Sequence, residues 1–81
     1  MTAYRTPRFE RKFRKLPQEA RVAFEKQLEF LVRDIRHPSL RAKKYNEARD
    51  IWQARVTRNV RFYFSIVGGA YIILDIEKHS D

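Results

Sequence analysis

Hydrophobic positions follow one period in the first half of the chain and another in the second. Phe9, Phe13 and Leu16 fall at i, i+4 and i+7, one face of a helix. Arg11, Lys12, Arg14 and Lys15 fill the positions between them. Thr6 and Pro7 stand just ahead, an N-cap residue followed by a proline suited to the first helical position. Pro17 opens a second run, and Glu19 puts negative charge in its first turn, where the helix dipole favours it. Ala20, Phe24, Leu28, Leu31 and Ile35 make the apolar stripe of this second helix. His37-Pro38 ends it, because the residue before a proline is pushed out of the helical region. A join this short predicts an antiparallel helix hairpin. Ahead of it, Thr2 to Arg5 reads as a short edge strand.

From Trp52 the period becomes two. Trp52, Ala54 and Val56 alternate with Gln53, Arg55 and Thr57. Phe62, Phe64 and Ile66 alternate with Arg61, Tyr63 and Ser65, and Ala70, Ile72, Leu74 and Ile76 with Tyr71, Ile73 and Asp75. This is the pattern of a three-stranded meander with one face for the helices. Parity constrains the loops. A three-residue loop, Arg58-Asn59-Val60, sets Val56 opposite Phe62. A loop Val67-Gly68-Gly69, with Gly69 left-handed in a bulge, aligns Ile66 with Ala70. In that register Arg55, Arg61, Tyr63, Tyr71 and Asp75 share the face away from the helices, with Asp75 opposite Arg61. Glu77 and His79 continue toward the same side. The expected fold is α+β: an N-terminal helix hairpin on one face of a curved antiparallel sheet, built from the short edge strand and the meander. Residues 1–81 form a single domain.

Composition sharpens this picture. A chain of 81 residues has a thin core. It has no cysteine, so no disulfide or thiolate metal site can staple it. No apolar run approaches a membrane span, and the N-terminus lacks the apolar stretch of a signal peptide, so the reading is a soluble, cytoplasmic protein. Lys and Arg number 18 against 10 acids, a net charge of +8. The density peaks between positions 41 and 61, with seven bases and two acids. That balance makes nucleic acid the leading partner class.

The candidate chemistry lies on the open sheet face. Arginine offers a rigid fork suited to phosphate, and its plane and tyrosine rings can stack on unpaired bases. Arg55 and Arg61, with Tyr63 beside them, are the candidates for that work. A solvated face with an Arg61–Asp75 cross-strand pair is the structural alternative. Lys43 and Lys44 lie just before the meander and can edge the same face. Histidine as a residue type titrates near neutrality, so His79 is a candidate for proton transfer, although a histidine so near the terminus can equally be solvated. His37 reads as a structural partner of the second helix's end, and Trp52 as core. Two distant histidines without cysteine carry no metal signature, and no cofactor is expected.

These residues together resemble the RelE/ParE toxin superfamily. The resemblance is carried by the basic helix hairpin "FERKFRKLPQEARVAFEKQLEFL", the connection "SLRAKKY", the stretch "WQARVTRNVRFYF" and the terminal "KH". Its most specific part is Trp52, Arg55, Val56, Arg61 and Phe62. The resemblance implies a small toxin of a toxin–antitoxin pair with a cognate acidic antitoxin. RelE-like and YoeB-like members are ribosome-dependent mRNA endonucleases that use no metal: the substrate's 2′-hydroxyl attacks the adjacent phosphate. Carried over by position, Arg61 stabilises the phosphate in the transition state, Arg55 acts on the substrate, His79 transfers a proton, and Lys43 or Lys44 binds substrate. Two positions depart from the pattern. "HPSL" stands where YoeB-like toxins have a glutamate, and Ser80 and Asp81 follow the histidine where an aromatic residue is frequent. Other relatives inhibit DNA gyrase without cutting RNA, and a plain nucleic-acid-binding module is a further alternative.

Overall fold

Thr6 caps the first helix. In the computed structural model, which describes residues 1–79, its side-chain oxygen accepts from the Phe9 N–H, and Pro7 occupies the first turn. Helix α1 is Pro7–Phe13 and helix α2 is Gln18–Arg33. α2 ends two residues before the last position of the stripe, Ile35. Asp34 already has extended backbone (φ −163°, ψ 108°), and Ile35 packs against the core from outside the helix. His37 then stacks on Phe30 in the last turn of α2, with centroids 3.8 Å apart and planes 6° off parallel. It is the structural partner of the helix end that its position suggests.

The strands are β1 (Thr2–Arg5), β2 (Lys43–Asn46), β3 (Ile51–Thr57), β4 (Val60–Val67) and β5 (Ala70–Lys78). They form one sheet in the order β1-β5-β4-β3-β2. The sheet is mixed, not wholly antiparallel, because β1 runs parallel to β5. β2, read from sequence as a connection, pairs antiparallel with β3. The core gathers Phe9, Phe13 and Phe24 from the helices over Phe62, Phe64, Ile73 and Ile76 from the sheet. Arg5 closes one side of it. Its guanidinium lies 4.9 to 5.3 Å from the centroids of Phe9, Phe13 and Phe24 and pairs with Glu10 and Glu25.

The register differs from the expectation, for one physical reason: both hairpin loops are two residues long. Thr57 pairs with Val60 and Val67 with Ala70. The parity that longer loops were expected to absorb is absorbed by bulges within the strands instead. One lies between Arg55 and Thr57, so that Ala54, not Val56, faces Phe62. The other leaves Leu74 as an extra residue on β5, between the pairs Tyr63–Asp75 and Phe64–Ile73. Tyr71 and Ile73 are therefore buried, not Ile72 and Leu74. Asp75 lies opposite Tyr63, and the residue opposite Arg61 is Glu77.

Candidate functional site

The β3 bulge has a direct effect on the arginines. Arg55 and Arg61 become a directly opposed pair on β3 and β4. Both follow the alternation that buries Ala54 and Phe62, so both project from the face away from the helices. Two like charges opposite each other are destabilising unless something holds them. The turn does so for Arg61. Its Nη1 donates to the carbonyls of Thr57 (2.8 Å), Arg58 (3.1 Å) and Val60 (3.2 Å). All three bonds use one nitrogen, so they do not engage the Nε–Nη2 edge of the fork. Arg55 Nε reaches the Thr57 carbonyl at 3.4 Å. Among the described residues no acid pairs with Arg61; Glu77, across from it, is drawn to Lys12 instead.

His79 reaches the same end of the sheet. Val60 pairs with Lys78, and the next backbone N–H, that of His79, donates to the Asn59 carbonyl in the β3–β4 turn. The His79 ring is exposed. The His79 backbone thus lies at the hairpin turn that joins the strands of Arg55 and Arg61, although His79 is far from both in sequence.

The two lysines separate. Lys43 pairs with Gln53 and Lys44 with Trp52, so their side chains leave opposite faces of β2. Lys43 is exposed on the arginine face. Lys44 sits 5.2 Å over the Trp52 ring and binds Asp50 at 2.7 Å. Its hydrogen bond to Asp50 raises its pKa above the ordinary 10.5 against the opposing effect of burial. Lys44 is therefore a structural lysine, and Lys43 alone joins the face. Tyr63 stands beside Arg61 as expected, its hydroxyl accepting from Gln53 Nε2 at 3.1 Å and its ring meeting Tyr45 edge-on at 4.9 Å. Tyr71 does not join it; it is in the core.

Helix α1 supplies a flank that the strand pattern does not reveal. β1 ends at Arg5, and Thr6 donates from both its N–H and its hydroxyl to the Ile73 carbonyl. α1 thus takes over beside β5 where β1 leaves it. Phe9 and Phe13 enter the core, while Arg8 and Lys12, one position earlier in each turn, reach Asp75 and Glu77. Lys12 Nζ lies 2.7 Å from Asp75 Oδ1 and 2.8 Å from Glu77 Oε1, and Arg8 Nη2 lies 3.4 Å from Asp75 Oδ2. Burial lowers the Lys12 pKa, but the hydrogen bonds and charge of these two acids outweigh it, and the net shift is upward from 10.5. The i, i+4 spacing of Arg8 and Lys12 was the available signal that they share a face. Among the described residues no group of three or more His, Cys, Asp or Glu could hold a metal ion, and no helix is long and apolar enough to cross a membrane.

No protein-family model and no curated protein matches the chain. Solved structures do. A YoeB/ParE toxin from Agrobacterium tumefaciens superimposes with a TM-score of 0.80 at 12% identity, covering 99% of this chain and 100% of that one. The isolated RelE toxin of E. coli gives 0.78 at 15% identity, covering 99% and 85%. The archaeal RelE–RelB complex from Pyrococcus horikoshii gives 0.81 at 14% identity, covering 98% and 94%. Two helices on a five-stranded mixed sheet, matched over 98–99% of this chain at such low identity, give it the fold of the RelE-like toxins.

Proposed function

We propose that this chain is the toxin of a toxin–antitoxin pair and cleaves mRNA on the ribosome, in the cytoplasm, without a metal ion. One observation carries the reading: Arg55 lies directly opposite Arg61, and the His79 backbone is tied to the turn between their strands. In the reaction the 2′-oxygen of the RNA gives up its proton and bonds to the adjacent phosphorus. The bond from phosphorus to the 5′-oxygen breaks, and that oxygen takes a proton. The products are a cyclic phosphate and a free 5′-hydroxyl. Arg61 and Arg55 offset the charge that builds on the phosphate, and His79 moves a proton. Arg61 suits this work because its Nη1 is anchored to three carbonyls while the Nε–Nη2 edge faces no such demand. The partner is a net acidic antitoxin segment that folds on binding. Two features support it: the net charge of +8, and Val22, 61% exposed on the outer side of α2.

A second reading is favoured by the same Arg61 bonds. An arginine spent on turn carbonyls suits a gyrase-directed toxin that binds and does no chemistry. Single-turnover cleavage of mRNA on translating ribosomes, read by primer extension, separates the two. Arg61→Ala should lose about 100-fold or more in rate. Arg61→Lys should recover little, because a point charge does not reproduce the fork. His79→Ala should lose about 10²–10⁴-fold and one limb of the pH–rate profile, with binding nearly unchanged. Absence of cleavage by the parent protein, together with inhibition of gyrase, would select the second reading.

A further inference from the structure

Two residues along β4 from Arg61, a cleft opens on the same face. Ile51 and Leu74 line it with apolar surface, Tyr45 and Tyr63 with rings, and Arg49 and Asp75 with charge. The β5 bulge creates this arrangement. Ile73 and Ile76 are both buried in the core, so the two residues between them, Leu74 and Asp75, both line the cleft. Strict alternation would have turned one of them away; bulges re-aim side chains in this manner.

The acceptor capacity of Asp75 is unevenly used. Oδ1 takes the Ile76 N–H at 2.8 Å and Lys12 Nζ at 2.7 Å. Oδ2 has, among the described residues, only Arg8 Nη2 at 3.4 Å, longer than an ordinary N–H···O bond. A carboxylate oxygen with lone pairs to spare therefore lies in a cleft lined by two tyrosine rings, its side chain only 18% exposed. The rings suit the flat face of an unpaired base, and the carboxylate suits a base edge that donates. From the Arg61 row to the Tyr63 row is about 7 Å at strand rise, within reach of a base whose phosphate lies between Arg55 and Arg61.

We propose that the cleft holds one unpaired nucleobase of the RNA and that Asp75 selects guanine there. Guanine presents two neighbouring N–H donors on its pairing edge, whereas uracil presents one N–H between two carbonyl oxygens, which a carboxylate repels. This inference rests on the proposed action on RNA, but it does not require cleavage.

The test uses short 2′-O-methyl oligoribonucleotides, which cannot be cut by 2′-hydroxyl attack, differing in a single base. Binding to the intact protein is followed by the NMR signals of Tyr45 and Tyr63. The guanine oligonucleotide should bind about tenfold tighter than the uracil one. Asp75→Asn keeps an oxygen for the Ile76 N–H and turns an amide N–H toward the cleft, so the preference should reverse. Tyr45→Ala, at a side chain 60% exposed and thus harmless to the core, should weaken both oligonucleotides by about tenfold and leave their ratio unchanged. Equal affinity for the two bases overturns the proposal, as does an Asp75→Asn variant that still prefers guanine, or tyrosine shifts elicited by polyglutamate and not by RNA. A protein that fails to cut mRNA yet keeps the guanine preference would sink the nuclease reading and leave the cleft standing.

Discussion

The position of Arg55 depends on a side chain from the opposite side of the sheet. Gln27 of α2 is buried, and its Nε2 donates to the Arg55 carbonyl at 2.8 Å and to the Ser39 carbonyl at 3.1 Å, while its Oε1 accepts from Ser39 Oγ at 3.1 Å. One amide thus ties a helix, the Pro38–Leu40 turn and β3 together, beside the β3 bulge. Gln27→Leu preserves size but removes the amide that donates to the Arg55 and Ser39 carbonyls, so stability should fall by about 1–3 kcal/mol in urea denaturation. Gln27 was within reach of sequence reasoning: Ala20, Phe24, Gln27 and Leu31 are spaced as one helix face, but polarity hid the third of them behind Leu28. Strand alternation likewise distinguishes Lys43 from Lys44, once β2 is known to be a strand. If RNA binds the arginine face, Lys43→Ala should flatten the dependence of log K on log salt by about 0.7 for single strands. Lys44→Ala should leave that slope unchanged, because its charge is already held by Asp50. Equal effects from the two variants would mean that the face is not the binding surface.

At the scale of elements, the sequence was most legible where burial imposes a period. α1, the three meander strands and the cap at Thr6 stand where their patterns put them, and α2 falls short only at its end. β2 was missed because Lys43–Asn46 is a polar edge strand: backbone pairing holds it, and no apolar alternation marks it. The register was misread because parity can be restored either in a loop or in a bulge, and the same residues serve both solutions. The β4–β5 turn shows how the shorter loop wins. Gly68 and Gly69 have φ of +55° and +79°, the positive pair that a two-residue type I′ turn requires. Nothing lies within 4 Å of a Cβ built at either position, so the restriction is conformational and not one of space. Gly68→Asn should therefore be tolerated, within about 0.5 kcal/mol, because asparagine adopts left-handed backbone readily. Gly68→Val should cost about 1–2 kcal/mol. Thermal unfolding of the two variants separates a conformational from a steric demand, since valine and asparagine are of similar size.

Among the described residues of the whole molecule, most acids take part in internal ties and the cations are left in excess. Glu10 and Glu25 hold Arg5, Asp50 holds Lys44, and Asp75 and Glu77 hold Lys12. Arg11 in α1, and Arg14 and Lys15 just beyond its end, stay exposed, and the sheet face already carries Lys43, Arg55 and Arg61. Burial, and then the charge of Asp34, raises the pKa of the Tyr71 hydroxyl above 10.0. Lys12 is likewise raised, its two acids outweighing burial. The linkage has the same sign for both. A group whose folded pKa exceeds its unfolded value contributes stability in full below the unfolded value and loses it as pH rises through the folded one. Stability should thus be level through neutral pH and decline above about pH 10. The tyrosine's share of that decline cannot exceed about 1.4 kcal/mol per pH unit, one proton's worth. Tyr71→Phe keeps the ring against Phe64, 5.5 Å away between centroids, and removes only the ionising hydroxyl. Urea midpoints measured from about pH 8 to 11.5, a span that brackets both ordinary values, should fall less steeply for Tyr71→Phe than for the parent. Parallel curves would mean that Tyr71 ionises as freely in the folded protein as in the unfolded chain, and would remove its burial as a source of the decline.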